Sequence, residues 1–240
     1  MAKQKLLRLS LPRGAEPIGA SRFREAMAKA GDGLLPPAFF HYTEAGMPCS
    51  TGSPHIRFVG GRSWVGILTN APRDPVFDAA VGLAIQTATA IVGQPLAVTV
   101  ENLEFDLQPS LYPRQYFLRD MALKRRGPEP RGKPVQLLAA QRIAAHIALT
   151  GSEHGIDIPT DEQLGIVFHE TRQVGMPIGG KNQSTECVTL VSGLFSMNVD
   201  LAGMWQVGNL QSRGYGRIIA VRSRVPSVRA HALADAELGA

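Results

Sequence analysis

His55-Ile56-Arg57-Phe58-Val59-Gly60-Gly61-Arg62-Ser63-Trp64-Val65-Gly66-Ile67-Leu68 is a pair of β-rich runs divided by a glycine-bearing turn, the pattern of a hairpin. What flanks it decides the fold. Upstream, residues 6–11 alternate around Arg8 and Ser10 as a strand does, and Pro12-Arg13-Gly14 breaks the run. Ser21 then opens a helix-like stretch, Arg22-Phe23-Arg24-Glu25-Ala26-Met27-Ala28-Lys29-Ala30, which stops at Gly31 and Gly33. A long irregular loop fills residues 34–54. Downstream, Asp74-Pro75 reads as an N-cap followed by a first-turn proline, and Phe77, Val81, Ile85, Ala88 and Val92 recur at helical spacing up to Gly93. Residues 96–107 alternate Val98, Val100, Leu103, Phe105 and Leu107, with a slip at Asn102 that predicts a bulge. Strand, helix, strand, strand, helix, strand is the split βαβ order of a ferredoxin-like (RRM-like) domain.

The second half repeats much of this order. Residues 115–123 read as a strand, and residues 134–150 as a helix with Leu137, Leu138, Ile143, Ala144 and Ile147 on its apolar side. Residues 164–170 and 188–201 are strand-like and joined by a glycine-rich connection (Gly175, Gly179, Gly180). A short second helix is expected near 200–207, then a glycine loop and a last strand over 215–221. The expectation is therefore an α+β chain of tandem ferredoxin-like domains, 1–108 and 109–225, with a basic loop and helical insertion in the second and a tail over 226–240.

Charge is segregated. Net charge is +5 and arginine outnumbers lysine 19 to 6. Residues 71–110 hold one base against five acids, residues 111–133 seven bases against two acids, and residues 201–234 five arginines and no acid. Arginine-rich positive segments suit bidentate phosphate contact and base stacking, so they favour a nucleic-acid partner. The run Lys124-Arg125-Arg126-Gly127-Pro128-Glu129-Pro130-Arg131-Gly132-Lys133 reads as an extended loop. With Arg142 in the following helix, its bases are candidates to hold an RNA hairpin's backbone; the alternative is a solvated charge run. Two distant cysteines, Cys49 and Cys187, match no metal-ligand spacing, and no cofactor motif occurs. No long uninterrupted apolar stretch or secretory leader is read, so a cytoplasmic protein without a membrane partner is expected.

The most informative segment is Val207-Gly208-Asn209-Leu210-Gln211-Ser212-Arg213-Gly214-Tyr215-Gly216-Arg217, directly before Ile218-Ile219-Ala220-Val221. Its glycines permit positive φ and close approach of backbone N–H groups to phosphate, Arg213 and Arg217 bring charge, and Tyr215 a stacking face. Gly208, Arg213, Gly214, Tyr215, Gly216 and Arg217 are thus candidate RNA contacts; a tight turn before an edge strand is the plainer alternative. A glycine loop before the last strand of the second of two ferredoxin-like domains resembles the CRISPR-associated family that processes repeat RNA, within the repeat-associated mysterious protein superfamily. The resemblance covers the order of elements over most of the chain, with residues 207–217 as its one specific motif. It departs where the family carries a further glycine and this chain has Gln206. Few lysines, the length and the basic insertion are compatible with a divergent branch such as type IV. The resemblance implies binding of a CRISPR repeat stem-loop, cleavage at its 3′ base, and retention on mature guide RNA, with other subunits of an effector complex as partners.

Metal-independent RNA cleavage aligns the ribose 2′-hydroxyl with the phosphate and needs a base, cations for the phosphorane charge and an acid for the 5′-oxygen. Family members often place a histidine in or after the first helix. Here that helix carries Arg22 and Arg24, and His41 beside Tyr42 follows in the loop, so His41, Tyr42, Arg22 and Arg24 are the candidate catalytic residues; His55 is a weaker second choice. Arg22 and Arg24 diverge by about 200° around a helix and cannot face one phosphate alike. A packed aromatic turn at 39–42 and an arginine-only site remain open at this point. So do a non-catalytic RNA-binding subunit and, from another class, a small-molecule enzyme or sensor using the arginines on an acidic ligand.

Overall fold

The computed structural model describes residues 2–45, 47, 49, 53–123, 134–178 and 186–221. The first unit runs β1 (Ala2–Ser10), α1 (Ala20–Ala30), β2 (Ile56–Gly60), β3 (Trp64–Thr69), α2 (Pro75–Val92) and the start of β4 (Ala97–Leu123). Its strands pair antiparallel in the order β2-β3-β1-β4, which is the ferredoxin-like arrangement. Leu7, Leu9, Phe58 and Ile67 lie on the sheet face that packs against Phe23 and Met27 of α1 and Phe77, Ala80 and Ala84 of α2. The Asp74 carboxylate accepts from the N–H groups of Val76 and Phe77 at 3.0 and 3.1 Å, and Gly93 closes α2 at φ 77°, as the sequence predicts. α2 is long and apolar enough to cross a bilayer by length and composition, but its Phe77, Ala80, Ala84 and Ala88 are buried in this core.

No bulge occurs at Asn102. Pairing of β1 with β4 is unbroken from Ala2↔Phe105 to Ser10↔Ala97. The slip in the pattern marks a change of face: Val98 and Val100 sit exposed at the sheet edge, while Phe105 and Leu107 turn into the second core. β4 then continues across the expected boundary at residue 108 as one strand, and its register jumps between Pro109 and Arg114.

The second unit comprises the end of β4, α3 (Val135–His154), the one-turn α4 (Asp161–Leu164), β5 (Val167–Ile178), β6 (Glu186–Ala202) and β7 (Arg217–Ala220). β7 and β6 flank β4, and β5 pairs with β6, repeating the first unit's order. Three readings of this half are corrected. α3 is the unit's own core helix, not an appendage: Ala139, Ile143, Ala144 and Ile147 pack with Leu118, Val191 and Phe195. The short helix expected near 200–207 does not form, because β6 extends to Ala202 and Trp205 and Val207 enter the core at extended-chain spacing. Residue 164 also ends a helix rather than starting a strand, since Thr160 and Gln163 form a capping box and Gly165 turns left-handed. The basic run 124–133 and the tail 226–240 lie outside the described residues.

Candidate active site

The chain from Gly203 to Gly216 takes the place of a second helix. It turns through left-handed φ at Gly203, Gly208, Leu210, Gly214 and Gly216. Side chains are barred at all four of these glycines by neighbouring atoms, at Gly203 by the Glu104 carbonyl. A Cβ on Gly208 would overlap Met121, one on Gly214 would overlap Ala20 and the Phe58 carbonyl, and one on Gly216 the Val207 carbonyl. Two of the N–H groups are already engaged: Gly216 donates to the carbonyls of Arg119 and Asp120 at 3.1 Å, and Gly214 to that of Gln211 at 2.9 Å. Gly208, Gly214 and Gly216 thus shape the loop by close packing, and their expected contact with RNA is a proposal. Gln206 fills the position where the resemblance leads one to expect glycine. It is buried, bridges to Arg217 in the backbone, and aims its amide nitrogen at the carbonyls of Gln211 and Tyr215 at 3.4 Å.

This packing presses the loop onto the first unit. Arg24 of α1 is 8% exposed, donates to the Phe40 carbonyl at 2.7 Å, and lies 5.3 Å from the Tyr42 ring centre. The one-turn helix Pro37–Phe40 creates that meeting, with Phe39 and Phe40 packed on Phe58 and His41 in left-handed conformation at φ 63°. Arg213 approaches from the loop: burial raises the Tyr42 phenol, but the guanidiniums of Arg24 and Arg213 outweigh it and hold the phenol below its usual range. Burial lowers His41, and Arg24 lowers it further, so the imidazole is neutral at pH 7. Burial also lowers Arg24, with the nearby Arg213 adding to the effect. Among the described residues no carboxylate pairs with Arg24, Arg213 or Arg217.

Arg22 is exposed and turned away from Arg24, as the helix angle requires. His55 holds the Asp74 carboxylate at 2.8 Å, so it supports the α2 cap and stands apart from the cluster. Arg142 is half-buried on α3 near His146, and the His146 Nδ1 is 2.9 Å from the loop's Gln211 amide. Lys124, Arg125, Arg126, Arg131 and Lys133 lie outside the described residues.

Two features escaped the sequence. Trp64, quoted above only as a strand residue, has the Arg8 guanidinium 4.6 Å and the Arg217 guanidinium 5.5 Å from its ring centre. Arg217 also donates to the Gly60 carbonyl; burial, then the charges of Arg119 and Arg8, lower its pKa to about 10. The second is a cavity of about 180 Å³ lined by Gly60, Arg213, Tyr215, Arg217 and the first turn of α1, whose N-cap Gly19 supplies no side-chain acceptor.

The family model for the type IV CRISPR-associated endonuclease Csf5 matches residues 2–223. The chain belongs to that family. Among solved structures it is similar to Csf5, CRISPR-Cas type IV Cas6 crRNA endonuclease, at 30% identity and a TM-score of 0.80, covering 92% of this chain and 100% of the other. A crystal structure of Cas6b aligns at 15% identity and a TM-score of 0.58, covering 91% of this chain and 100% of that one. A second Cas6b, described as a CRISPR RNA processing endoribonuclease, gives 15% and 0.54 over the same shares, and both likenesses speak to the fold alone. Comparison with the curated proteins returns no match. Within the Csf5 family frame, the two ferredoxin-like units and the glycine loop between β6 and β7 occupy the whole described chain.

Proposed function

We propose that this Csf5-family chain is a metal-independent endoribonuclease that binds the repeat stem-loop of a CRISPR precursor RNA and cuts at its 3′ base. It then stays on the mature guide RNA within an effector complex. The observation that carries this reading is the meeting of Arg24 and Tyr42 from the first unit with Arg213 from the glycine loop, a cationic site without a pairing carboxylate among the described residues. In the proposed reaction the RNA 2′-oxygen forms a bond to phosphorus as the bond from phosphorus to the 5′-oxygen breaks. His41, neutral at pH 7, takes the 2′-hydroxyl proton, and Tyr42, its phenol made more acidic by the two arginines, gives a proton to the 5′-oxygen. Arg24 and Arg213 stabilise the charge that grows on the phosphorane oxygens. Arg217 and Tyr215 hold the neighbouring strand, and the bases of 124–133 with Arg142 take the stem's backbone.

Incubation of the purified protein with its cognate repeat RNA in EDTA tests the proposal. A single cut leaving a 2′,3′-cyclic phosphate is expected. Tight binding with no cut, with or without Mg²⁺, would instead assign the chain as a non-catalytic RNA-binding subunit.

A further inference from the structure

The first sheet buries residues on both faces, one under α1 and α2, and the other at Leu6, Val59 and Leu68, which pack with Trp64 and Leu103 of the same sheet and with Met204. Among the described residues, the second sheet buries its α3 face only. On the opposite face Phe117, in the central strand β4 between β6 and β7, is 41% exposed, and Val174 of β5 is 46% exposed. An aromatic ring left open in mid-sheet is unusual, because a central strand is where a soluble domain most readily covers its apolar side chains. Here it floors a groove of about 660 Å³ whose walls are Leu190, Tyr215, Arg119 and Arg172. The volume is in the range of small-molecule sites.

The groove is built, not merely uncovered. Asp120 stands in left-handed conformation at φ 51°, strained for a residue with a side chain. It is held there by reciprocal bonds with Ser192, whose hydroxyl accepts from the Asp120 N–H and donates to its carboxylate, both at 2.9 Å. The Gly216 N–H holds its carbonyl. These contacts, with the Arg119 guanidinium 3.7 Å from the carboxylate, fix a carboxylate and a hydroxyl in the lining of the groove beside Phe117, groups able to accept from the N–H edge of a base. Tyr215 closes the end of the groove, its hydroxyl 3.2 Å from the Met176 sulfur. Arg119, Asp120 and Tyr215 also line the cavity beside Arg213 and Arg217, so the groove adjoins that cavity.

We propose that the open face of the second sheet binds one unpaired nucleotide of the RNA, its base stacked on Phe117 beside Tyr215 and its phosphate at Arg172. Exposed aromatics on ferredoxin-like sheets serve sequence-tolerant stacking of this kind, and flanking arginines suit the phosphate. The site rests on the RNA-processing reading, but it is separate from the cleavage chemistry, and binding tests it without a cut.

The test is fluorescence anisotropy with two labelled RNAs, the cognate repeat hairpin with its unpaired flanks and the same hairpin trimmed flush. The parent protein is expected to bind the flanked RNA roughly tenfold or more tighter than the flush one, the gain of one stacked base. Phe117→Ala and Arg172→Glu are expected to remove that gain and leave flush-hairpin affinity unchanged, whereas Phe117→Tyr keeps it. Parental affinity of Phe117→Ala for the flanked RNA overturns the site while leaving the RNA-processing reading intact. An equal loss on both RNAs also overturns it, since Phe117 would then act through the stem or the fold. Failure of the parent to bind either RNA removes the underlying reading and the site with it.

Discussion

The two units share one strand order, and the element in which they differ most places the candidate site. In the first unit α2 is capped by Asp74, closed by Gly93 and buried along Phe77, Ala80, Ala84 and Ala88. In the second unit the corresponding segment is an irregular chain from Gly203 to Gly216, held by close backbone contacts instead of helical hydrogen bonds. A helix there would have shielded the sheet and kept its arginines on an outer face. The loop instead carries Arg213 to Tyr42, Arg217 to Trp64 and Gly60, and Tyr215 over the open sheet. A unit that gives up a helix gains a surface on which its neighbour can complete a site.

The sharpest way to break this comparison is to substitute matching glycines. Gly93 and Gly216 have nearly equal φ, 77° and 78°, but only Gly216 has a carbonyl where a Cβ would go. Gly93→Ala is expected to cost about 1–2 kcal/mol, the left-handed penalty alone. Gly216→Ala is expected to cost about 4 kcal/mol or more. Thermal unfolding of both variants checks this, and equal losses would mean that the loop tolerates a side chain and that backbone packing does not hold it.

A middle-sized effect is expected at Tyr42. Tyr42→Phe keeps the ring beside Arg24 and removes the proton donor, so cleavage is expected to slow by about 10²-fold with RNA affinity retained. The pH–rate profile adds a sign. His41 is lowered from its ordinary 6.5, so the rate is expected to fall only on acidification below that value, and His41→Ala is expected to abolish this acid limb. A limb unchanged in His41→Ala would favour a site run by arginines without a histidine base.

The smallest effect concerns the seam between the units. The Asn70 carbonyl oxygen accepts from Gln4 at 3.0 Å and from Arg57, so its amide nitrogen must donate to His154 Nε2 at 2.7 Å, which requires neutral imidazole. Burial, with a contribution from Arg57, lowers His154, so the folded state binds fewer protons than the unfolded one below about pH 6.5. Stability is therefore expected to be complete above that pH and to decline as pH falls through it. Urea midpoints at pH 7.5 and 5.5 should differ less in His154→Gln than in the parent.

Much of this was legible in local sequence. Asp74-Pro75, the glycine-divided hairpin and the Gly93 stop fixed the first unit because each acts within a few residues. Arg22, Arg24, His41 and Tyr42 were singled out through the resemblance, which directs attention to the first helix and the loop after it. The meeting of Arg213 with Tyr42 was not, since it depends on Gly214 fitting against Ala20 and Phe58, a contact between distant parts of the chain. The absent helix was misread because Leu201, Trp205 and Val207 suit a helical face as well as an extended one. The glycines were read for phosphate approach, and the backbone packing that they also permit gave no local signal because its partners are distant in sequence. Trp64 gave no signal, because two arginines stacked near its ring come from β1 and β7.

The central claim is that Arg24 and Arg213, brought from different units, stabilise the reacting phosphate together. Single-turnover cleavage of cognate repeat RNA in EDTA by the parent, Arg24→Ala, Arg213→Ala and Arg22→Ala measures it directly. The account predicts losses of about 10²-fold or more for Arg24→Ala and Arg213→Ala, each with thermal stability checked, and a rate close to parental for the outward-facing Arg22→Ala. Cleavage at the parental rate by Arg24→Ala and Arg213→Ala would contradict it.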